Sequence, residues 1–127
     1  MELRNRLRCV FVISLLACSS FCIAQAKPIS IVISPSSSPR IEFGVSKLSK
    51  ALSEAGFAVK ISKQHNLPNG GSWIYAGISS DPVLKEKSSR SSKEGFNIYS
   101  IKERNIIIAG ADASGALYGC MELADRI

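Results

Sequence analysis

The first 26 residues set the size of anything this chain can fold into. Arg4, Arg6 and Arg8 form a basic patch ahead of the apolar run Cys9-Val10-Phe11-Val12-Ile13-Ser14-Leu15-Leu16-Ala17, an order that reads as the n-region and h-region of a signal peptide. Ala24-Gln25-Ala26 then supplies the small residues of a cleavage site, so the mature chain is expected to begin at Lys27. Ser14, Ser19 and Ser20 interrupt the apolar run, which falls short of the roughly 20 apolar residues a membrane span needs. Leu15-Leu16-Ala17-Cys18 resembles a bacterial lipobox. On that less favoured route a lipidated Cys18 would tether the same domain to a membrane without changing its fold.

Cleavage after Ala26 leaves 101 of the 127 residues, enough for one domain and far short of the roughly 250 of a (β/α)8 barrel. Cys9, Cys18 and Cys22 leave with the leader and Cys120 stays alone, which excludes an internal disulfide. Export without disulfides suits a bacterial envelope protein, periplasmic or secreted. The mature part carries 13 Lys and Arg against 9 Asp and Glu, a net charge of +4. These charges are scattered, and no run of aromatic residues accompanies them, a pattern of solvated surface that argues against nucleic-acid binding.

Along the mature chain, Ile29-Ser30-Ile31-Val32-Ile33 reads as a strand between Pro28 and a Ser-Pro-rich loop. Ser38 is expected to cap the next helix and Pro39 to take its first position. Ile41, Val45, Leu48, Leu52 and Ala55 form one apolar stripe, Ser46, Lys47, Lys50, Ser53 and Glu54 the wet face, and Gly56 the stop. Residues 57–61 and 73–78 read as further strands, on either side of a turn-rich loop at 63–72. Residues 79–93 have the composition of an exposed, mobile loop, with a short helix around Pro82 to Lys87 as the alternative. Residues 96–101 and 106–109 flank a polar reversal and predict a β-hairpin, and the unbroken Ile106-Ile107-Ile108 run predicts an inner position for its second strand. A final helix is expected to start behind Asp112 as N-cap, with Ala113, Leu117, Cys120, Met121, Ala124 and Ile127 as its buried stripe. The expected class is α/β or α+β: a small mixed sheet with two main helices, in the order β-α-β-β-β-β-α.

Glu94-Gly95-Phe96-Asn97-Ile98, the hairpin, and Ile108-Ala109-Gly110-Ala111-Asp112-Ala113-Ser114-Gly115-Ala116-Leu117-Tyr118-Gly119 followed by Glu122-Leu123 form one ordered pattern. It resembles the end of the N-terminal domain of α-glucuronidases and is similar to the second domain of β-N-acetylhexosaminidases. The resemblance is carried by residues 94–127, and by pattern alone over 29–61. It implies a non-catalytic domain that precedes a (β/α)8 catalytic barrel and packs against it. The residues give the motif a structural reading: Gly110 and Gly115 for close approach of strand end and helix, Asp112 as cap, Leu117 and Tyr118 packed where helix meets sheet, and Gly119 beside another backbone.

No catalytic, cofactor-binding or metal-ligating residues are assigned. Glycoside hydrolysis uses two carboxyl groups about 5 to 9.5 Å apart, and Glu94, Asp112 and Glu122 suggest no such pair. His65 lies alone in a loop, Asn69-Gly70-Gly71-Ser72 lacks the ending of a phosphate cradle, Cys120 reads as core filler, and Trp73 reads as core although it could stack on a sugar. The expectation is an accessory domain of an exported, α-glucuronidase-like glycoside hydrolase, as a fragment or truncated product. Its partner would be a barrel in the same chain or in trans, with carbohydrate contact possible. The last helix reaches Ile127 without a stop signal, which fits that expectation. The alternative is a free-standing envelope binding or interaction module with no enzymatic role.

Overall fold

The computed structural model describes residues 24–84, 92–102 and 104–127. The expected signal segment before Ala24 and the middle of the 79–93 loop lie outside the described residues. Five strands and two helices follow the expected order: β1 (Lys27–Ile33), α1 (Pro39–Glu54), β2 (Phe57–Lys63), β3 (Trp73–Ile78), β4 (Phe96–Ile101), β5 (Asn105–Gly110) and α2 (Ala113–Asp125). The sheet runs β2-β1-β3-β5-β4 and is parallel except for β4, which pairs antiparallel with β5 as a hairpin. The strands at 29–33, 57–61 and 106–109 are longer than their apolar runs, because pairing carries the ladders on to Lys27↔Phe57, Ile33↔Lys63 and Phe96↔Gly110.

Period-two alternation divides the sheet into two faces. Ile31, Ile33, Ile74, Ala76 and Ile108 meet Ile41, Val45, Leu48 and Leu52 of α1 and Ala116 and Cys120 of α2 in the main core. Val32, Trp73, Tyr75, Ile107 and Ala109 form a second core on the other face, covered by Leu67, Val83 and Leu84 from loops. The inner strands therefore need apolar residues at every position, as in Ile31-Val32-Ile33 and Ile107-Ile108, which accounts for their unbroken runs. Leu84 is fully buried, so the exposed loop expected after β3 is pinned through Leu84; residues 79–84 form turns, and the rest of the alternative helix at Pro82 to Lys87 lies outside the described residues.

Both helices depart from the sequence reading. The Ser38 hydroxyl does not cap α1: it is turned inside, sealed from solvent, with no partner among the described residues. Ala55 sits past the last turn and is exposed, and Gly56 closes the helix in the left-handed conformation at φ 95°. On α2 the buried residues are Ser114, Gly115, Ala116, Gly119 and Cys120. Ala113, Leu117 and Ala124 are half-buried, while Met121 and Ile127 are exposed. The helix is thus rotated to lay its small side chains on the sheet. Gly119 explains why, since a Cβ there would run into the Cγ2 methyl of Ile108. The close neighbour is a side chain, where a backbone was expected.

Candidate functional site

The recognised motif folds into a junction between the β4 entry, the end of β5 and the start of α2. Asp112 adopts extended backbone, and its carboxylate Oδ1 accepts the Gly115 N–H at 2.8 Å, the cap expected of it. Its Oδ2 accepts the Glu94 N–H at 3.1 Å. These backbone hydrogen bonds, Gly115 first and Glu94 second, hold the Asp112 carboxyl below the usual carboxylate range. The Ala111 N–H donates to Gly95 O at 2.8 Å, completing a clasp between the two segments. Glu94 takes φ 60° to make that turn, a left-handed conformation that side chains with a Cβ adopt at some cost. Gly115 is required because a Cβ there would strike Gly95 O, and Gly110 because one there would strike the backbone of Ala116.

Sequence reasoning missed two ties around this junction. Arg40 Nη1, in the first turn of α1, donates to Ser114 Oγ at 2.6 Å and links the two helix starts. The partners are 74 positions apart, beyond the reach of any local pattern. Tyr75 Oη and the Ile78 N–H both donate to Asp81 Oδ2, at 3.1 and 3.2 Å. Burial, then the adjacent Asp81 charge, pushes the Tyr75 phenol well above its ordinary pKa.

Two of the three acids of the motif are occupied. Asp112 is committed to backbone N–H groups, and Glu122 accepts Arg126 Nε at 2.8 Å on the outer side of α2. Glu94 is exposed. His65 is exposed, and among the described residues no group of three or more His, Cys, Asp or Glu could hold a metal. Cys120 is fully buried, and desolvation pushes its thiol up to about 12. Trp73 is core, as its place at the head of β3 suggested.

The surface feature that stands out is the outer side of the helix layer. Among the described residues, the large apolar side chains left exposed are Phe43 (53%), Tyr118 (47%), Met121 (41%), Ile127 (48%) and Ile61. All but Ile61 lie on the helices or directly after α2. Tyr118, expected to pack at the helix–sheet seam, therefore points outward. A shallow groove of about 350 Å³ runs between α1 and α2, lined by Lys47, Lys50, Ala51, Glu54, Met121, Ala124 and Asp125. Among the described residues, no helix is long and apolar enough to cross a membrane.

No family model matches this sequence, and no curated protein does. Solved structures do. One is a 4-O-methyl-α-glucuronidase of family GH115 with specificity for decorated arabinogalactans: 24% identity, TM-score 0.65, covering 80% of this chain and 14% of the enzyme. Another is a GH138 enzyme targeting pectin rhamnogalacturonan II, at 30% identity and TM-score 0.56, covering 77% of this chain and 10% of that one. The first likeness is one of fold. The chain therefore spans between a tenth and a seventh of these proteins, and what it is similar to is one small part of much larger glycoside hydrolases.

Proposed function

We propose that this chain is the non-catalytic accessory domain of an exported, α-glucuronidase-like glycoside hydrolase, working in polysaccharide or glycan breakdown beside a (β/α)8 catalytic domain. The observation that carries the reading is the match of most of this chain to a small part of two glycosidases, which leaves the bulk of those enzymes to other domains. The chemistry of the motif agrees. Asp112 and Glu122 spend their carboxylates on a helix cap and an ion pair, and the glycines serve close packing. Phe43, Tyr118, Met121 and Ile127 give the helix layer an apolar side on which a neighbouring domain would rest. β1 starts at Lys27, so removal of a signal peptide after Ala26 would take nothing from the sheet.

Two measurements test this. Purified residues 27–127 should leave aryl glucuronides and aryl N-acetylglucosaminides uncleaved. The coding sequence beyond Ile127 should continue into a barrel-forming βα repeat. Turnover that disappears on Glu94→Gln or Glu122→Gln would overturn the accessory reading.

A further inference from the structure

The link from β2 to β3 is fastened at its two ends and loose between them. The Gln64 N–H donates to Ile33 O at 3.0 Å and the Ser30 N–H to Ser72 O at 3.0 Å, while residues 65–71 make no hydrogen bond to another described residue. A segment with so few bonds opens locally at small cost. Within it Leu67 and Pro68 are half-buried, and Asn69 and Gly70 are exposed. Asn-Gly pairs are common in turns because both residues tolerate unusual backbone angles. Gly70 does not use that freedom: its φ lies outside the left-handed range, unlike that of Gly71 at 78°, and a Cβ at position 70 would meet nothing within 4 Å. The fold therefore supplies no reason for glycine at this position.

What glycine changes there is the reactivity of Asn69. Closing the Gly70 nitrogen on Asn69 Cγ makes a five-membered ring, and no side chain on residue 70 stands beside the attacking atom. The Gly70 N–H is free of hydrogen bonds among the described residues, so it can give its proton to hydroxide. The N–Cγ bond then forms, the Cγ–Nδ2 bond breaks, and Nδ2 takes a proton from water and leaves as ammonia. Water opens the cyclic imide in two ways. Attack at Cγ breaks the new bond and leaves aspartate; attack at the main-chain carbonyl carbon breaks the former peptide bond and leaves isoaspartate, with the chain running through Cγ. In sum one water is taken up and one ammonia released, with no change of oxidation state. The other described asparagines lack these conditions. Asn66 precedes Leu67, which packs against the second core. Asn97 and Asn105 lie in β4 and β5, where the ladder holds the backbone and the stiff, β-branched Ile98 and Ile106 follow them. We propose that Asn69 is a site of spontaneous deamidation, converted by water alone to aspartate and isoaspartate in the folded protein. Each event adds one negative charge to an exposed turn. The extra main-chain methylene of isoaspartate falls between the anchors at Gln64 and Ser72, outside every strand ladder, so the sheet survives it.

The purified full chain should be held in neutral and in mildly alkaline buffer and followed by peptide mass spectrometry. Trypsin cuts after Lys63 and Lys85, so Asn66 and Asn69 share one peptide, and fragment ions tell them apart. The mass gain of an amide-to-acid conversion should grow at Asn69, faster at the higher pH, and the product should separate into two chromatographic forms, only one of which is cut by an endoproteinase specific for aspartate. Asn66, Asn97 and Asn105 should stay amides over the same period. Gly70→Ala, for which there is open space, should slow the conversion by roughly tenfold or more with no loss of melting temperature. The same tryptic peptide made synthetically gives the rate without the fold, and the folded chain should come within about tenfold of it. An amide at Asn69 that persists in the folded chain while the peptide converts, conversion spread evenly over the asparagines, or a Gly70→Ala rate equal to the parent's would overturn the site.

Discussion

α1 and α2 both leave the carboxyl end of a parallel strand behind a residue able to cap, yet only one of those residues does so. Asp112 binds two backbone N–H groups, one in its own helix and one across the junction at Glu94. Ser38 binds none, and its hydroxyl is sealed inside the protein. Arg40 spans the gap, reaching from the uncapped start to Ser114 beside the capped one. A capping residue thus matters through what else it holds: Asp112 closes its helix and also fastens the β4 entry to it, whereas the α1 start is held by Pro39, the packing of Ile41 and the Arg40 bond.

The strongest way to break this contrast is Gly115→Val, which places a side chain against Gly95 O and separates the two halves of the clasp. Overpacking of this kind costs about 1–3 kcal/mol and more where backbone must move. The melting temperature should fall by roughly 4–8 °C for each kcal/mol in a domain of this size, and an unchanged melt would show that the clasp is slack.

Asp112→Ala should have the next largest effect, with Asp112→Asn between it and the parent. Asn keeps an oxygen for Gly115 but loses the second acceptor facing Glu94. The effect depends on pH with a definite sign. Because the folded carboxyl lies below its unfolded value of ~3.9, its stabilisation is present above that value and fades as pH falls through the folded one. Melting temperature recorded from neutral into strong acid should drop less steeply for Asp112→Asn than for the parent. Parallel curves would remove Asp112 from the account.

Ser38→Ala should do least. Loss of a working cap costs about 1 kcal/mol, but a hydroxyl without a partner has no such bond to lose, so a change within ~0.5 kcal/mol is expected in denaturant unfolding. A full capping penalty would mean that Ser38 caps α1 in solution, and the contrast between the two helices would fail.

Much of the fold was legible where one periodicity ruled a segment. The stripe Ile41, Val45, Leu48 and Leu52, the hairpin, and the inner place of the Ile106-Ile107-Ile108 strand all follow from spacing. α2 misled because hydropathy favours Leu117, Met121 and Ile127, while packing on Ile108 admits only small residues. The signal was there in Ala116, Gly119 and Cys120, which recur at helical spacing but look unremarkable on a scale of apolar size. The Asp112 cap was readable from its own position. Its second bond to Glu94 and the Arg40–Ser114 tie arise from residues far apart in sequence, and no local window contains them.

The burial of Cys120 has a consequence for the reactivity of the folded protein toward oxidants and disulfides. Thiolate is the form that attacks disulfides and oxidants, and a thiol pushed up to about 12 beneath α2 supplies almost none of it at neutral pH. As the single cysteine from Lys27 onward, it gives the folded domain no covalent route to another chain. Unfolding restores an ordinary thiol, so the appearance of Cys120 in mixed disulfides times the opening of this domain, and a molecule cross-linked there is one that has already lost its fold.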